Sequence, residues 1–101
     1  MENIALTEAV YYILLSLKQP LHGYGIMQNV ETITEGRVVL AAGTLYGAIS
    51  SMLEKRWIEL VNEEKNKRKK EYVITEIGNL VLERELSRLK ELVANGEKYN
   101  V

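Results

Sequence analysis

A mainly α-helical chain with a small β-hairpin is the fold class this sequence predicts, on three observations. Apolar residues recur at helical spacing in four separate segments. Two short apolar runs flank a charged stretch, NEEKNKRKKE, which is the pattern of a hairpin. The 101 residues contain no internal repeat, linker or low-complexity segment, so one small domain is expected.

The first helix rests on Leu6, Val10, Ile13, Leu14 and Leu17, which share one helical face. Tyr11, Tyr12 and Leu15 cover much of the rest, so this helix is expected to be buried on two sides. Pro20 ends it. A second helix starts between His22 and Tyr24 and carries Tyr24, Met27, Val30 and Ile33. Gly36 is its expected left-handed C′ residue, and Arg37 to Leu40 reads as a short strand. A third helix runs from about Gly43 to Lys55. Leu45, Ile49, Met52 and Leu53 form its inner face, and Thr44, Gly47, Ser50 and Ser51 its small outer face.

Trp57 to Val61 and Tyr72 to Thr75 are the hairpin strands. Thr75 is also a good N-cap for a final helix from Glu76 to about Ala94, stopped by Asn95-Gly96. Nineteen such residues make a rod of about 29 Å. Residues 97–101 are expected to fray. The expected division is a helical and hairpin domain over 1–75 and a terminal dimerisation helix over 76–101.

Composition removes several function classes. There is no cysteine and one histidine, which excludes disulfides, thiolate sites and His-rich metal sites. A carboxylate-only site stays open, although the chain has no Asp and no loop that collects Glu. Catalysis has little to stand on, since His22 has no Cys partner and no Asp to orient it. Gly23-Tyr24-Gly25 is too short for a dinucleotide fingerprint. No enzyme activity, cofactor or metal is therefore expected. The N-terminus lacks the features of a secretory signal, and the apolar run from Ala9 to Leu17 is too short to span a membrane. The expected compartment is the cytoplasm, without membrane attachment.

Charge is distributed unevenly. Net charge is −1, yet residues 37–70 hold eight basic and four acidic side chains, or +4, leaving −5 elsewhere. A basic face on an acidic body suits nucleic acid. The third helix has the outward side chains for a major groove: small ones at Gly47, Ser50 and Ser51, and donors at Thr44, Tyr46 and Ser50. The charged turn carries Lys67, Arg68 and Lys69, placed for phosphates or a minor groove; the plainer reading is a solvated turn. His22 reads as structural, Trp57 as core, Tyr24 as an anchor to the core, and the carboxylates and arginines at 83–91 as solvated i,i+4 pairs.

Leu21-His22-Gly23-Tyr24-Gly25-Ile26, Gly43-Thr44-Leu45-Tyr46, Leu53-Glu54-Lys55 with Trp57-Ile58-Glu59, and Tyr72 with Thr75-Glu76-Ile77-Gly78 occur in this order and spacing. Together they make the chain resemble the PadR-like transcription regulators over nearly its whole length. The resemblance implies a winged helix-turn-helix with one terminal dimerisation helix, the shorter branch of the family. It also implies a repressor that binds operator DNA. Thr44 and Tyr46 on the recognition helix and Lys67, Arg68 and Lys69 on the wing are the positions it carries over. Relatives often have Ser or Pro where this chain has Ala41-Ala42, which puts the expected N-cap of the third helix at Gly43 or Thr44. Relatives also often have Gly where this chain has Arg56, and a left-handed backbone there strains Arg by roughly 1 kcal/mol.

Three partners follow from these readings: double-stranded operator DNA, a second copy of the chain, and a small aromatic effector. The dimer is expected through Leu6 and Tyr11 on the first helix and Leu82, Leu86, Leu89 and Val93 on the last, a seam with 4-3-4 spacing. The effector is expected at that interface near Tyr11 and Tyr12, although the terminal helix has no Trp for stacking. The alternative is a winged-helix module that binds protein and not DNA.

Overall fold

A computed structural model describes residues 5–63 and 70–100, with the backbone alone for Asn62 and Glu63. The elements in order are α1 (Glu8–Ser16), β1 (Leu21–His22), α2 (Gly23–Ile33), α3 (Ala42–Glu54), β2 (Ile58–Glu63), β3 (Lys70–Ile74) and α4 (Glu76–Tyr99). The architecture is mainly helical with a small antiparallel sheet, as the patterning predicts.

α1 begins later than its apolar stripe. Thr7 is the N-cap, its Oγ1 accepting from the Val10 amide at 3.1 Å. Leu6 therefore precedes the helix. Ile13, Leu14 and Leu17 are fully buried. Ser16, also buried, donates to the Tyr12 carbonyl and accepts from Asn29 Nδ2 at 2.9 Å, tying α1 to α2 through a satisfied polar pair.

α2 and α3 end alike. After α2 the Glu35 and Gly36 amides donate to the Thr32 and Glu31 carbonyls at 3.1 and 2.8 Å. After α3 the Arg56 and Trp57 amides donate to Leu53 and Met52 at 3.1 and 2.9 Å. Each is a Schellman closure, which needs a left-handed C′ residue. That residue is Glu35 (φ 53°) in one case and Arg56 (φ 65°) in the other. The expectation that Gly36 is the C′ residue is thus corrected by one position: Gly36 is C″, although its φ of 81° is also positive.

The sheet has the order β1-β3-β2. Leu21 and His22 pair with Tyr72 and Glu71, and Ile58 pairs with Ile74. The ladder shifts between Leu60 and Asn62, a bulge that leaves Val61 as the extra residue and bends the strand. Arg37 to Leu40 is not a strand. The reason is local: the Arg37 amide donates to the Thr34 carbonyl and the Val38 amide to Thr34 Oγ1, both at 3.1 Å, so these donors are taken up by the end of α2. The segment instead inserts Leu40 into the core and leaves Val39 exposed.

α4 is seated by Thr75, whose Oγ1 accepts from the Gly78 amide at 3.1 Å and donates to the Arg56 and Trp57 carbonyls. It continues through Asn95-Gly96 to Tyr99, so the expected stop near Ala94 and the expected frayed end are corrected. A lone glycine costs a helix only about 1 kcal/mol, and no proline follows to end it. Ile26, Val30, Leu45, Ile49, Met52, Ile58 and Leu82 complete one core beneath all four helices and the sheet.

Candidate nucleic-acid interface

α3 is held by its inner face and bare on its outer one. Leu45, Ile49 and Met52 are at most 2% exposed, while Gly43, Thr44, Tyr46, Gly47 and Ser50 are exposed. At 100° per residue Gly47 lies near the centre of the outer face, with Gly43 and Ser50 beside it. Nothing lies within 4 Å of a Cβ built on Gly43 or Gly47. The helix begins at Ala42 with Ala41 as N-cap and no side-chain cap bond. This corrects the expected cap at Gly43 or Thr44. The N-cap of α2, His22, makes no side-chain cap bond either. Both helices thus open with amides that no side chain caps, and helix N-termini favour anions such as phosphate.

Tyr46 links the two helix starts. A Cβ on Gly23 would collide with its hydroxyl and ring, so the ring lies against the first residue of α2. Glycine at 23 is what allows that approach. Tyr46 remains half exposed, which fits a side chain braced from behind and open in front. Tyr24 does not anchor α2 to the core; it is 62% exposed on the first turn. The helical stripe that suggested the anchor runs instead through Gly23, Ile26 and Val30. Thr44, Tyr46 and Ser50 all lie on the exposed part of α3. Lys67, Arg68 and Lys69 lie outside the described residues.

The basic stretch is less uniform than its composition. Arg37 forms an exposed bidentate pair with Glu8, holding the Glu8 carboxyl below the usual carboxylate range. Lys55 Nζ stands 4.7 Å from the centre of the Trp57 ring, a cation–π contact. Arg56 is exposed at the base of the hairpin, and Lys70 is exposed at its other end, where it pairs with Glu63. Among the described residues no group of His, Cys, Asp or Glu is arranged to hold a metal ion, and no helix is long and apolar enough to cross a membrane.

The family model described as "Transcriptional regulator PadR-like family" matches residues 12–84. The chain belongs to the PadR-like family. Its members are transcription regulators and not enzymes. Comparison with curated proteins finds no match. Among solved structures, a transcriptional regulator from Clostridium thermocellum is similar with a TM-score of 0.77 at 22% identity, covering 91% of each chain. A PadR family transcription regulator from Clostridium difficile R20291 is similar with a TM-score of 0.75 at 23% identity, covering 94% of this chain and all of that one. RosR from H. salinarum is similar with a TM-score of 0.68 at 21% identity, over 92% and 94% of the two chains. At these identities the likeness is one of fold, the winged helix.

The PadR-like chain carries a second bare surface along α4. Leu86 is 42% and Val93 59% exposed, Leu89 is half-buried, and from Lys90 to Asn100 every residue is exposed. Leu86, Leu89, Val93 and Ala94 line a shallow apolar groove with Lys90 and Glu97 at its edge. Leu82 differs from its expected partners in the seam: it is 6% exposed and belongs to the chain's own core. Leu6 and Tyr11 are half-buried against that core. Tyr11 and Tyr12 meet edge to face with ring centres 6.0 Å apart.

Sequence reasoning missed Glu85. Taken as one of several solvated carboxylates, it is 5% exposed. It accepts from Arg88 Nε at 2.8 Å, from Arg88 Nη2 at 2.7 Å and from the Leu6 amide at 3.3 Å. Arg88 chiefly, and the Leu6 amide with it, hold this carboxyl below its ordinary range against the opposing effect of burial. The available signal was its spacing: Glu85 falls three residues after Leu82, on the same helical face.

Proposed function

We propose that this PadR-like chain is a homodimeric, sequence-specific DNA-binding repressor. The observation that carries the reading is the outer face of α3, where a rigidly seated helix presents Gly43, Thr44, Tyr46, Gly47 and Ser50 to solvent. An α-helix fits the major groove, and small residues at its centre let the backbone come close to base edges. Thr44, Tyr46 and Ser50 supply hydroxyls for phosphates and bases. The uncapped starts of α2 and α3 supply amides for the backbone on either side. Lys67, Arg68 and Lys69 add charge without sequence preference.

Dimerisation uses the bare stripe of α4. An exposed run of leucine and valine on a helix that outreaches its own domain fits a partner helix far better than water. Leu86, Leu89 and Val93 form the seam, with Leu6 and Tyr11 at its inner end. A small aromatic effector binds where this seam meets Tyr11 and Tyr12 and releases the protein from DNA. The test is binding of a duplex from the protein's own upstream region, beside a random duplex, at several salt concentrations. Preference for the upstream duplex supports the reading. Equal or absent binding favours the alternative, a winged-helix module directed at protein.

A further inference from the structure

Glu85 sits where α4 parts from the body. Toward its N-terminus Gly78 and Leu82 are buried; from Lys90 to Asn100 every residue is exposed. The molecule measures 57 × 33 × 21 Å. At this root the apolar contact of Leu82 tolerates small rotations, because dispersion is not directional. The bonds of Glu85 are directional. They join α4 to the backbone of the segment ahead of α1, 79 residues away in sequence. Arg88, one turn further on, forks onto the same carboxylate and so orients it.

We propose that Glu85 is a positioning residue for DNA recognition: by clamping the Leu6 amide it sets the angle between α4 and the winged-helix body, and thereby the half-site spacing the dimer accepts. This rests on the reading of the chain as a DNA-binding dimer paired through α4. The lever is long enough to matter. From Glu85 to Tyr99 the helix rises about 21 Å, so a tilt of ~10° moves its far end by about 4 Å, near the ~3.4 Å rise of one base pair. Two recognition helices that must enter grooves one turn apart tolerate little of that. A buried carboxylate is also a poor device for stability alone, since well-packed apolar side chains often serve as well. Its use here is to hold one geometry.

The experiment compares wild type with Glu85→Leu and Glu85→Gln. Amide exchange at Leu6 reads the clamp in free protein, and selection from a randomised duplex pool reads the spacing. Both variants are expected to stay dimeric. In Glu85→Leu the Leu6 amide is expected to exchange at least ~10-fold faster while the α1 core amides keep their rates. Its selected duplexes are expected to keep the half-site sequence of wild type but to spread over spacings one or two base pairs either side. Affinity for the wild-type site is expected to fall roughly tenfold, as for a mismatched base pair. Glu85→Gln, which keeps an acceptor for Leu6, is expected to fall between. If either folded variant selects the single wild-type spacing at wild-type affinity, the positioning role is overturned while the DNA-binding dimer stands. If wild type selects no paired half-sites, the dimer reading itself fails and the inference falls with it.

Discussion

Gly78 and Gly96 lie on the same helix and have opposite prospects. A Cβ at Gly78 would collide with the Trp57 carbonyl, backbone that cannot swing aside. Gly78→Ala is therefore expected to destabilise by about 1–3 kcal/mol. A Cβ at Gly96 meets nothing within 4 Å, so Gly96→Ala is expected to stabilise by up to about 1 kcal/mol. Urea unfolding of the two variants checks both signs. Arg56, held at φ 65° by the closure of α3, is the complementary case. Arg56→Gly relieves a left-handed side chain and is expected to stabilise by about 1 kcal/mol. Glu85 connects a residue to pH. Its folded pKa lies below the usual value, so the stability it contributes is present above ~4.3 and is lost as pH falls from there through the folded value. Unfolding measured between neutral and acid pH is expected to show a shallower acid loss for Glu85→Gln than for wild type. Glu8 is shifted the same way but is exposed, and its pair with Arg37 contributes little.

At the scale of elements, what the sequence disclosed was whatever short-range pattern controls. The buried faces of α1 and α3 and the Thr75 cap were legible because periodicity and capping are local. The strand expected at Arg37 to Leu40 was not formed, because Thr34 takes up the Arg37 and Val38 amides at the end of α2. The two-residue β1 was invisible because two residues carry no period and its partners, Tyr72 and Glu71, are distant in sequence. The end of α4 was misplaced because Asn-Gly is a stop signal only where a turn follows. The face of Tyr24 was misjudged since a tyrosine fits either side of a helix start. α4 carries the prediction proper to this scale. Leu86→Lys combined with Leu89→Lys is expected to give monomers or insoluble protein, because the seam loses its apolar character without touching the buried Leu82. Light scattering at micromolar concentration reads it, and a monomeric wild type would contradict the seam.

The whole molecule has a radius of gyration of 15.0 Å, against roughly 13 Å for a rounded domain of this length. The excess is in keeping with α4 reaching past the body that carries α3. On the proposed reading, such a shape places two functions at separate surfaces, one for DNA and one for a second copy. Among the residues proposed for DNA two chemistries are separable. Lys67→Ala with Lys69→Ala is expected to weaken selected and random duplex alike, and to lower the salt slope by roughly 0.9 per lost phosphate contact. Tyr46→Phe removes no charge and is expected to cost on the order of 1 kcal/mol at the selected site with the slope unchanged. The most direct test of α3 as the reading helix is Gly47→Leu, measured for thermal midpoint and for affinity to selected and random duplex at one salt concentration. Leucine is a better helix former than glycine by up to about 1 kcal/mol and has open space at this position. The midpoint is therefore expected to hold or rise by a few degrees. Affinity for the selected duplex is expected to fall at least ~10-fold, because the added side chain stands between the helix and the base edges. A variant at least as stable as wild type that binds the selected duplex equally well would contradict the assignment of this face to DNA.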